Sequence, residues 1–189
     1  SFFDKDKRRV TLQGEAFFEV QKDPEHGFVI STPHETKIEV LGTSFNVEAF
    51  EEDDFVSTTL IEGKVRFNYM KNRRVIAVPM KPGQKLTYDS SSSRMQLTET
   101  NGESEIAWKD GKIVFQATLL PEALRMLEKR FNVAFVLSND YLRSEAFTGS
   151  FSHQRLERIL EIFKISSNIK WRYLDTQDTM NEKTRIEIY

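Results

Sequence analysis

Cysteine is absent from this sequence of 189 residues, and so are long apolar runs. Without cysteine there can be no disulfide framework, no thiolate metal site and no cysteine nucleophile. The redox compartment stays open, because a cysteine-free chain suits the cytoplasm and the periplasm alike. No segment reaches the roughly 18 apolar residues that a membrane-spanning helix requires, and no signal-peptide pattern opens the chain. This chain is therefore not expected to span a membrane.

An excess of basic residues is missing as well. The sequence has 27 Lys and Arg against 29 Asp and Glu, a formal net charge of −2. Such a chain has no general attraction to phosphate backbones or anionic lipid. The basic pairs Arg8-Arg9 and Arg73-Arg74 lie in strand-like segments, which predicts solvated strand faces. We therefore expect no nucleic-acid partner.

An initial methionine is also lacking, and the chain enters a strand pattern almost at once. We interpret the sequence as a fragment excised from a longer protein. Hydrophobic residues make up 39% of it, which is enough to build cores and argues against wholesale disorder.

The first half of the chain alternates apolar and polar residues with period two, which is typical of half-buried strands. At Gly14, Gly42 and Gly63 the alternation breaks and then resumes, which predicts two strands joined at a tight corner. Strands this short, with no helical period among them, predict an all-β domain over residues 1–100. A sandwich, a roll and a short solenoid all fit this pattern.

The period changes beyond residues 101–104, which we take as the boundary of a second domain over residues 105–189. A strand at 112–116, a helix with apolar residues at helical spacing, and a strand at 133–137 are predicted. The same order then recurs with strands at 146–150 and 169–173, and a last strand at 184–189 follows a polar hairpin loop. The pattern predicts a small α+β module of duplicated βαβ units.

Residues 14–20, 40–47 and 60–65, in this order and spacing, resemble the periplasmic region of FecR-type transmembrane anti-sigma regulators. Residues 108–115 and 147–151 resemble the start and the second unit of the extra C-terminal α/β module in one branch of that family. The duplicated unit is similar to the short domain shared by secretins and TonB-dependent transporters. By this likeness, the β domain is truncated at its N-terminus.

The resemblance implies a signalling role. FecR-type proteins are anchored in the inner membrane, and a short cytoplasmic segment holds a sigma factor. Their periplasmic part receives a signal from the N-terminal signalling domain of a TonB-dependent outer-membrane transporter. This chain lacks the cytoplasmic segment and the spanning helix, so sigma-factor binding is not assigned to its residues.

The function predicted on this basis is that of a periplasmic signal receiver that is not an enzyme and uses no cofactor. The alternative, from another class, is a carbohydrate-binding β domain or an accessory module of a cell-surface complex. A glycan platform needs aromatic side chains exposed on one rigid face. An enzyme, the third possibility, needs a pocket with convergent titratable groups.

Metal ligands are sparse in the sequence. A hairpin would bring His26 and His34 together, with Asp23 or Glu35 as a third ligand, but ordinary loop histidines are the favoured interpretation. The acidic run at residues 51–54 lacks the ligand spacing and the glycine of a calcium loop, so a solvated turn is expected. We predict neither a metal site nor a catalytic site.

Partner binding is expected in the second domain. Its small sheet should leave one face uncovered, which makes Phe147, Phe151 and Trp171 candidate contact residues. Ile186 and Ile188 alternate with polar residues in the last strand, which we consider as a candidate open edge. In the alternative, that strand pairs on both sides or is covered by the β domain.

Overall fold

The computed structural model describes residues 8–174 and 183–189, and in this part of the chain strands dominate over helices. The chain divides into two compact units between Ile106 and Ala107, and each is described by itself. The polar loop predicted before the last strand falls mainly on residues 175–182, outside the described residues. None of the described helices combines the length and the apolar character needed to cross a bilayer.

The first unit consists of two five-stranded sheets and a short helix, α1 (Glu103–Ile106). Its strands are β1 (Arg8–Thr11), β2 (Gly14–Val20), β3 (Phe28–Thr32), β4 (Thr36–Val40), β5 (Thr43–Ala49), β6 (Phe55–Glu62), β7 (Val65–Lys71), β8 (Arg74–Met80), β9 (Gln84–Asp89) and β10 (Arg94–Glu99). One sheet has the order β1-β3-β4-β7-β8 and the other β10-β9-β6-β5-β2. Neighbours run antiparallel except for the parallel pair β1 and β3.

The three predicted glycine corners are confirmed, and each carries the chain from one sheet to the other. Gly14 begins β2 just after β1, Gly42 lies between β4 and β5, and Gly63 lies between β6 and β7. Gly63 has a φ of +94°, and a Cβ added there would lie 2.5 Å from the carbonyl oxygen of Gly42. Two corners therefore approach each other too closely for a side chain.

Side chains from both sheets form a single core. Phe45 from one sheet and Phe67 from the other are fully buried in it. Ring contacts also cross between the sheets, since the centroids of Tyr69 and Tyr88 lie 4.7 Å apart. Of the three predicted all-β arrangements, two sheets around a shared core correspond to the sandwich.

The second unit begins with a 3-10 turn (Ala107–Asp110), and its described residues contain two further helices and five strands. The elements are β11 (Lys112–Leu119), α2 (Leu120–Phe131), β12 (Val133–Leu137), a 3-10 turn (Asp140–Ser144), β13 (Ala146–Ser152), α3 (Leu156–Ser167), β14 (Trp171–Tyr173) and β15 (Thr184–Ile188). Pro121 occupies the first turn of α2, where its missing N–H costs nothing, and Asn132 ends the helix with a left-handed φ of 52°.

The order strand, helix, strand occurs twice in this unit, but the duplicated βαβ unit is not confirmed. β11 pairs antiparallel with β13 in a two-stranded sheet, whereas β12, β15 and β14 form a separate three-stranded sheet in that order. The two strands that flank each helix therefore lie in different sheets. A βαβ crossover joins parallel strands of one sheet.

Both helices and both sheets contribute to one core in the second unit. Phe163 of α3 is fully buried there, with its ring centroid 3.9 Å from that of Phe147 and 5.7 Å from that of Phe115. The helices therefore pack against the inner faces of both sheets.

Candidate partner-binding edge

The predicted contact residues are mostly buried. Phe147 stacks on the core ring Phe163, Phe151 packs half-buried against Phe115 at 5.6 Å, and Ile186 and Ile188 are fully inaccessible. Trp171 is half-buried at the margin of the core. Their role in partner binding stays a prediction, but Phe147, Ile186 and Ile188 have no exposed side chain to offer.

The prediction that the last strand is an open edge is wrong. β15 lies in the centre of its sheet, parallel to β12 and antiparallel to β14. Its backbone is therefore bonded on both sides, and its alternating apolar residues face the core. The alternative considered from the sequence, pairing on both sides, is correct, and among the described residues the edge strands of this sheet are β12 and β14.

The hydrogen bonds at the two ends of β14 show which of its backbone groups point away from the sheet. Lys170 and Tyr189 exchange both N–H···O bonds at 2.9 Å, and the Leu174 N–H donates to the Arg185 carbonyl at 2.9 Å. In an antiparallel pair the bonding direction alternates, so Lys170, Arg172 and Leu174 point their backbone groups at β15. The N–H and C=O groups of Trp171 and Tyr173 consequently point away from the sheet. No strand pairs with that side of β14 within the described residues.

The edge of β12 is partly closed by a side chain. The Ser138 N–H donates to the Ile188 carbonyl at 2.9 Å, so by alternation the Phe135 N–H points away from β15. This N–H donates instead to Glu128 Oε1 at 2.7 Å. A carboxylate from α2 thus takes the place that a neighbouring strand would fill, which makes β12 the less available edge.

The aromatic side chains of β14 lie on the inner face of the sheet, at its margin. The rings of Trp171 and Tyr173 meet edge to face at 5.7 Å, and Tyr173 is about half exposed, at 48%. The Tyr173 hydroxyl donates to Glu157 Oε1 of α3 at 2.7 Å. This bond lowers the pKa of Glu157 and raises that of Tyr173, because it stabilises the carboxylate and the neutral phenol.

The outer face of the same sheet carries a short polar network. Glu187 accepts from the Ser138 hydroxyl and from Arg172 Nε, both at 2.6 Å, and these bonds lower the pKa of its carboxyl group. The Arg172 guanidinium also lies over the Tyr189 ring, 5.3 Å from its centroid. The network holds the Arg172 side chain in place beside the free edge of β14.

The two-stranded sheet also has outer edges. β11 is interrupted by a bulge, where Ala117 has a φ of 48° and its N–H donates to the Thr148 hydroxyl. β13 is regular, and between the buried ring of Phe147 and the half-buried ring of Phe151 it carries only the small residues Thr148, Gly149 and Ser150. Side chains beside an added strand provide its specificity, and β13 offers fewer distinctive ones than β14.

The histidines considered as metal ligands have local partners. His26 Nδ1 lies 2.9 Å from Asp23 Oδ2, and His34 Nε2 lies 2.7 Å from the Asp53 carbonyl. The described residues contain no group of three or more His, Cys, Asp or Glu able to hold a metal ion.

The carbohydrate alternative needs exposed aromatic side chains on the first unit. In the described part of that unit, the large hydrophobic side chains that are exposed are all aliphatic, including Val75, Met95 and Leu97. An aromatic glycan platform on the β domain therefore has no support from the side-chain exposure.

Comparison with known families identifies both halves of the chain. Residues 1–66 match the family described as FecR protein, and residues 112–180 match the family described as FecR, C-terminal. Together the two matches cover more than half of the chain. A search of curated proteins found no significant match.

Two solved structures support the same relationship. Crystal structures of a putative anti-sigma factor from Parabacteroides distasonis ATCC 8503, at 1.65 and 2.50 Å resolution, align with TM-scores of 0.78 and 0.76. Each shares 26% sequence identity, and the alignment covers 99% of this chain and 82% of the other. The similarity extends over both units.

Proposed function

The chain belongs to the FecR family as a FecR-type anti-sigma factor, and on that premise we propose that it is the periplasmic signal-receiving region of a transmembrane regulator. In this proposal the N-terminal signalling domain of a TonB-dependent transporter binds it. The signal passes to a sigma factor through a cytoplasmic segment outside this sequence. An inner-membrane anchor, also outside this sequence, would hold the chain in the periplasm.

One observation carries the proposal: a single chain joins a FecR domain to a FecR C-terminal domain. The second unit supports a binding role, because β14 presents the outward N–H and C=O groups of Trp171 and Tyr173. An added strand bonds to such groups along its backbone. We therefore propose β14 as the docking edge.

We further propose that the chain acts by binding and not by catalysis. A groove of about 420 Å³ in the first unit is lined by apolar residues such as Val40, Val65 and Met80, together with charged side chains of both signs. A second cleft contains His34 and Glu51, but the His34 ring is already bonded to a backbone carbonyl. Among the described residues, no hydrogen bond joins a hydroxyl group of either lining to an imidazole or a carboxylate, which is how a nucleophile would be activated.

Calorimetric titration of this chain with the signalling domains of TonB-dependent transporters from the same genome tests the proposal. One cognate domain should bind, and Tyr173→Pro should weaken its binding at least about tenfold, because proline removes an outward N–H from the docking edge. Tyr173→Ala is the matched control, since it removes the same ring and keeps the N–H.

Two results would count against the proposal. If none of the signalling domains binds, the partner is misassigned. If Tyr173→Pro stays folded and binds as tightly as Tyr173→Ala, the partner docks elsewhere, and β13 is the next edge to test.

A further inference from the structure

The outer face of the three-stranded sheet is basic where it borders the free edge. The alternation that points Trp171 and Tyr173 outward along the edge also places Lys170, Arg172 and Arg185 on one face, together with Glu187. Lys170, Arg172 and Arg185 are exposed, and Glu187 is largely covered. Within the described residues, three cationic side chains therefore face solvent beside a single side-chain carboxylate.

The carboxylate does not neutralise this face. Both oxygens of Glu187 are engaged, one by the Ser138 hydroxyl and one by Arg172. No ion pair joins Lys170 or Arg185 to another side chain in the described residues. From β12, Ala134 and Val136 lie on the same face by register, and both are uncharged. The face keeps a formal charge of +2 within the described part of the unit.

The inner face of the sheet beside β14 is aromatic and not basic. Trp171 and Tyr173 present aromatic surface there, and the Tyr173 hydroxyl is already bonded to Glu157. A strand added to β14 would alternate its own side chains between these two faces. One set of its side chains would lie next to Lys170 and Arg172, and the other set would lie next to the rings of Trp171 and Tyr173.

We propose that the segment docking on β14 is an extended strand in which acidic and apolar residues alternate. Its carboxylates lie beside Lys170 and Arg172, with Arg185 one strand further away on the same face, and its apolar side chains cover Trp171 and Tyr173. Opposite charges on neighbouring strands stabilise pairing, and like charges oppose it. The inference rests on the proposed docking at β14 and adds the chemistry of the partner.

Three peptides test this chemistry without any transporter domain. The probes are capped seven-residue peptides: one alternates Glu and Val, one alternates Lys and Val, and one alternates Glu and Ser. Each is titrated into the ¹⁵N-labelled chain at low salt, and amide shifts report both affinity and location. The Glu-Val peptide should shift the amides of Trp171 and Tyr173. It should bind at least about tenfold more tightly than either control peptide, as expected for several cross-strand pairs acting together.

Charge reversal provides the matched variants. Arg172→Glu combined with Lys170→Glu should reverse the preference in favour of the Lys-Val peptide. Lys112→Glu, an exposed change on β11 of the other sheet, should leave the preference unchanged. Raising the salt from 0.05 to 0.5 M should weaken binding of the Glu-Val peptide, because exposed charges are screened.

The proposal is overturned if the Glu-Val and Lys-Val peptides bind equally. It is also overturned if no peptide at millimolar concentration changes the amide chemical shifts of β14, or if the changes occur in β13 instead. The peptide series on the unmodified chain decides this even where a charge-reversal variant fails to fold. Peptide binding without any transporter partner would instead refute the proposed function and leave this inference standing.

Discussion

Glu128→Ala is the sharpest test of how the sheet edges of the second unit are controlled. In the structure Glu128 Oε1 accepts the outward N–H of Phe135 at 2.7 Å, in a partly buried position. A hydrogen bond to a charged group contributes roughly 1.5–3 kcal/mol, and partial exposure places this one near the lower limit. Alanine removes the acceptor without disturbing the helix, because it is a better helix former than glutamate.

The expected loss is therefore about 1.5 kcal/mol, which corresponds to roughly a tenfold change in an equilibrium constant. Amide hydrogen exchange measured by NMR gives this value at the residue itself. The Phe135 amide should exchange about tenfold faster in Glu128→Ala. Glu128→Gln keeps an uncharged acceptor, so its Phe135 amide should exchange at a rate between those of Glu128→Ala and the unmodified chain. Glu161→Ala is the control, because its carboxylate makes only a 3.4 Å surface pair with Lys164.

Two results would refute this account. If Phe135 exchanges at the same rate in Glu128→Ala as in the unmodified chain, the carboxylate does not close the β12 edge. If Glu128→Ala binds the partner much more tightly, β12 is the docking edge and β14 is not. We expect partner affinity to be unchanged, since the β14 edge lies across the sheet from Glu128.

Three further predictions concern folding and pH. Phe45→Ala should destabilise the first unit by about 3–5 kcal/mol, because the ring is fully buried against Phe18, and an unchanged melting temperature would show that the core is misassigned. Ile188→Pro should unfold the second unit, because it removes a donor and a buried side chain from a central strand; retained slow amide exchange in that unit would contradict this. Hydrogen bonds, above all from the Ser92 hydroxyl, lower the pKa of Asp89 to about 2, so its stabilising contribution should be complete above about pH 4 and disappear as the pH falls towards 2. An NMR titration midpoint for Asp89 near its ordinary value of 3.8 would exclude this hydrogen-bonded turn.

Strands whose apolar residues alternate with polar ones could be predicted from the sequence, and a strand with adjacent apolar residues could not. In β5 the apolar residues Phe45 and Val47 alternate with polar ones, which gives the period-two pattern although both kinds of side chain are buried. The pattern fails in β3, where Val29 and Ile30 are adjacent and both buried. A short continuous apolar run does not distinguish a strand from a buried helical segment.

The order of the strands in the sheet could not be predicted from the sequence, for a physical reason. Ile186 and Ile188 need one covered face, and that requirement is the same for an edge strand and a central strand. The alternation therefore gave the correct inward side chains of β15 and the wrong neighbours. The contact from Glu128 to Phe135 was equally hidden, because it joins a helix residue to a strand backbone and follows no capping motif.

The net charge of the chain does not describe the local charge of the outer face of the three-stranded sheet. The net charge of −2 argued only against a general attraction to phosphate backbones or anionic lipid, and it averages over both units. Strand pairing places Arg185 opposite Leu174, on the same face as Arg172 and Lys170. Fields from exposed charges decay over about 8–10 Å at physiological salt, so an approaching strand experiences this face and not the chain average. A steep salt dependence of partner association, lost on reversing Arg172 and Lys170 together, is therefore compatible with an acidic chain and expected from this sheet.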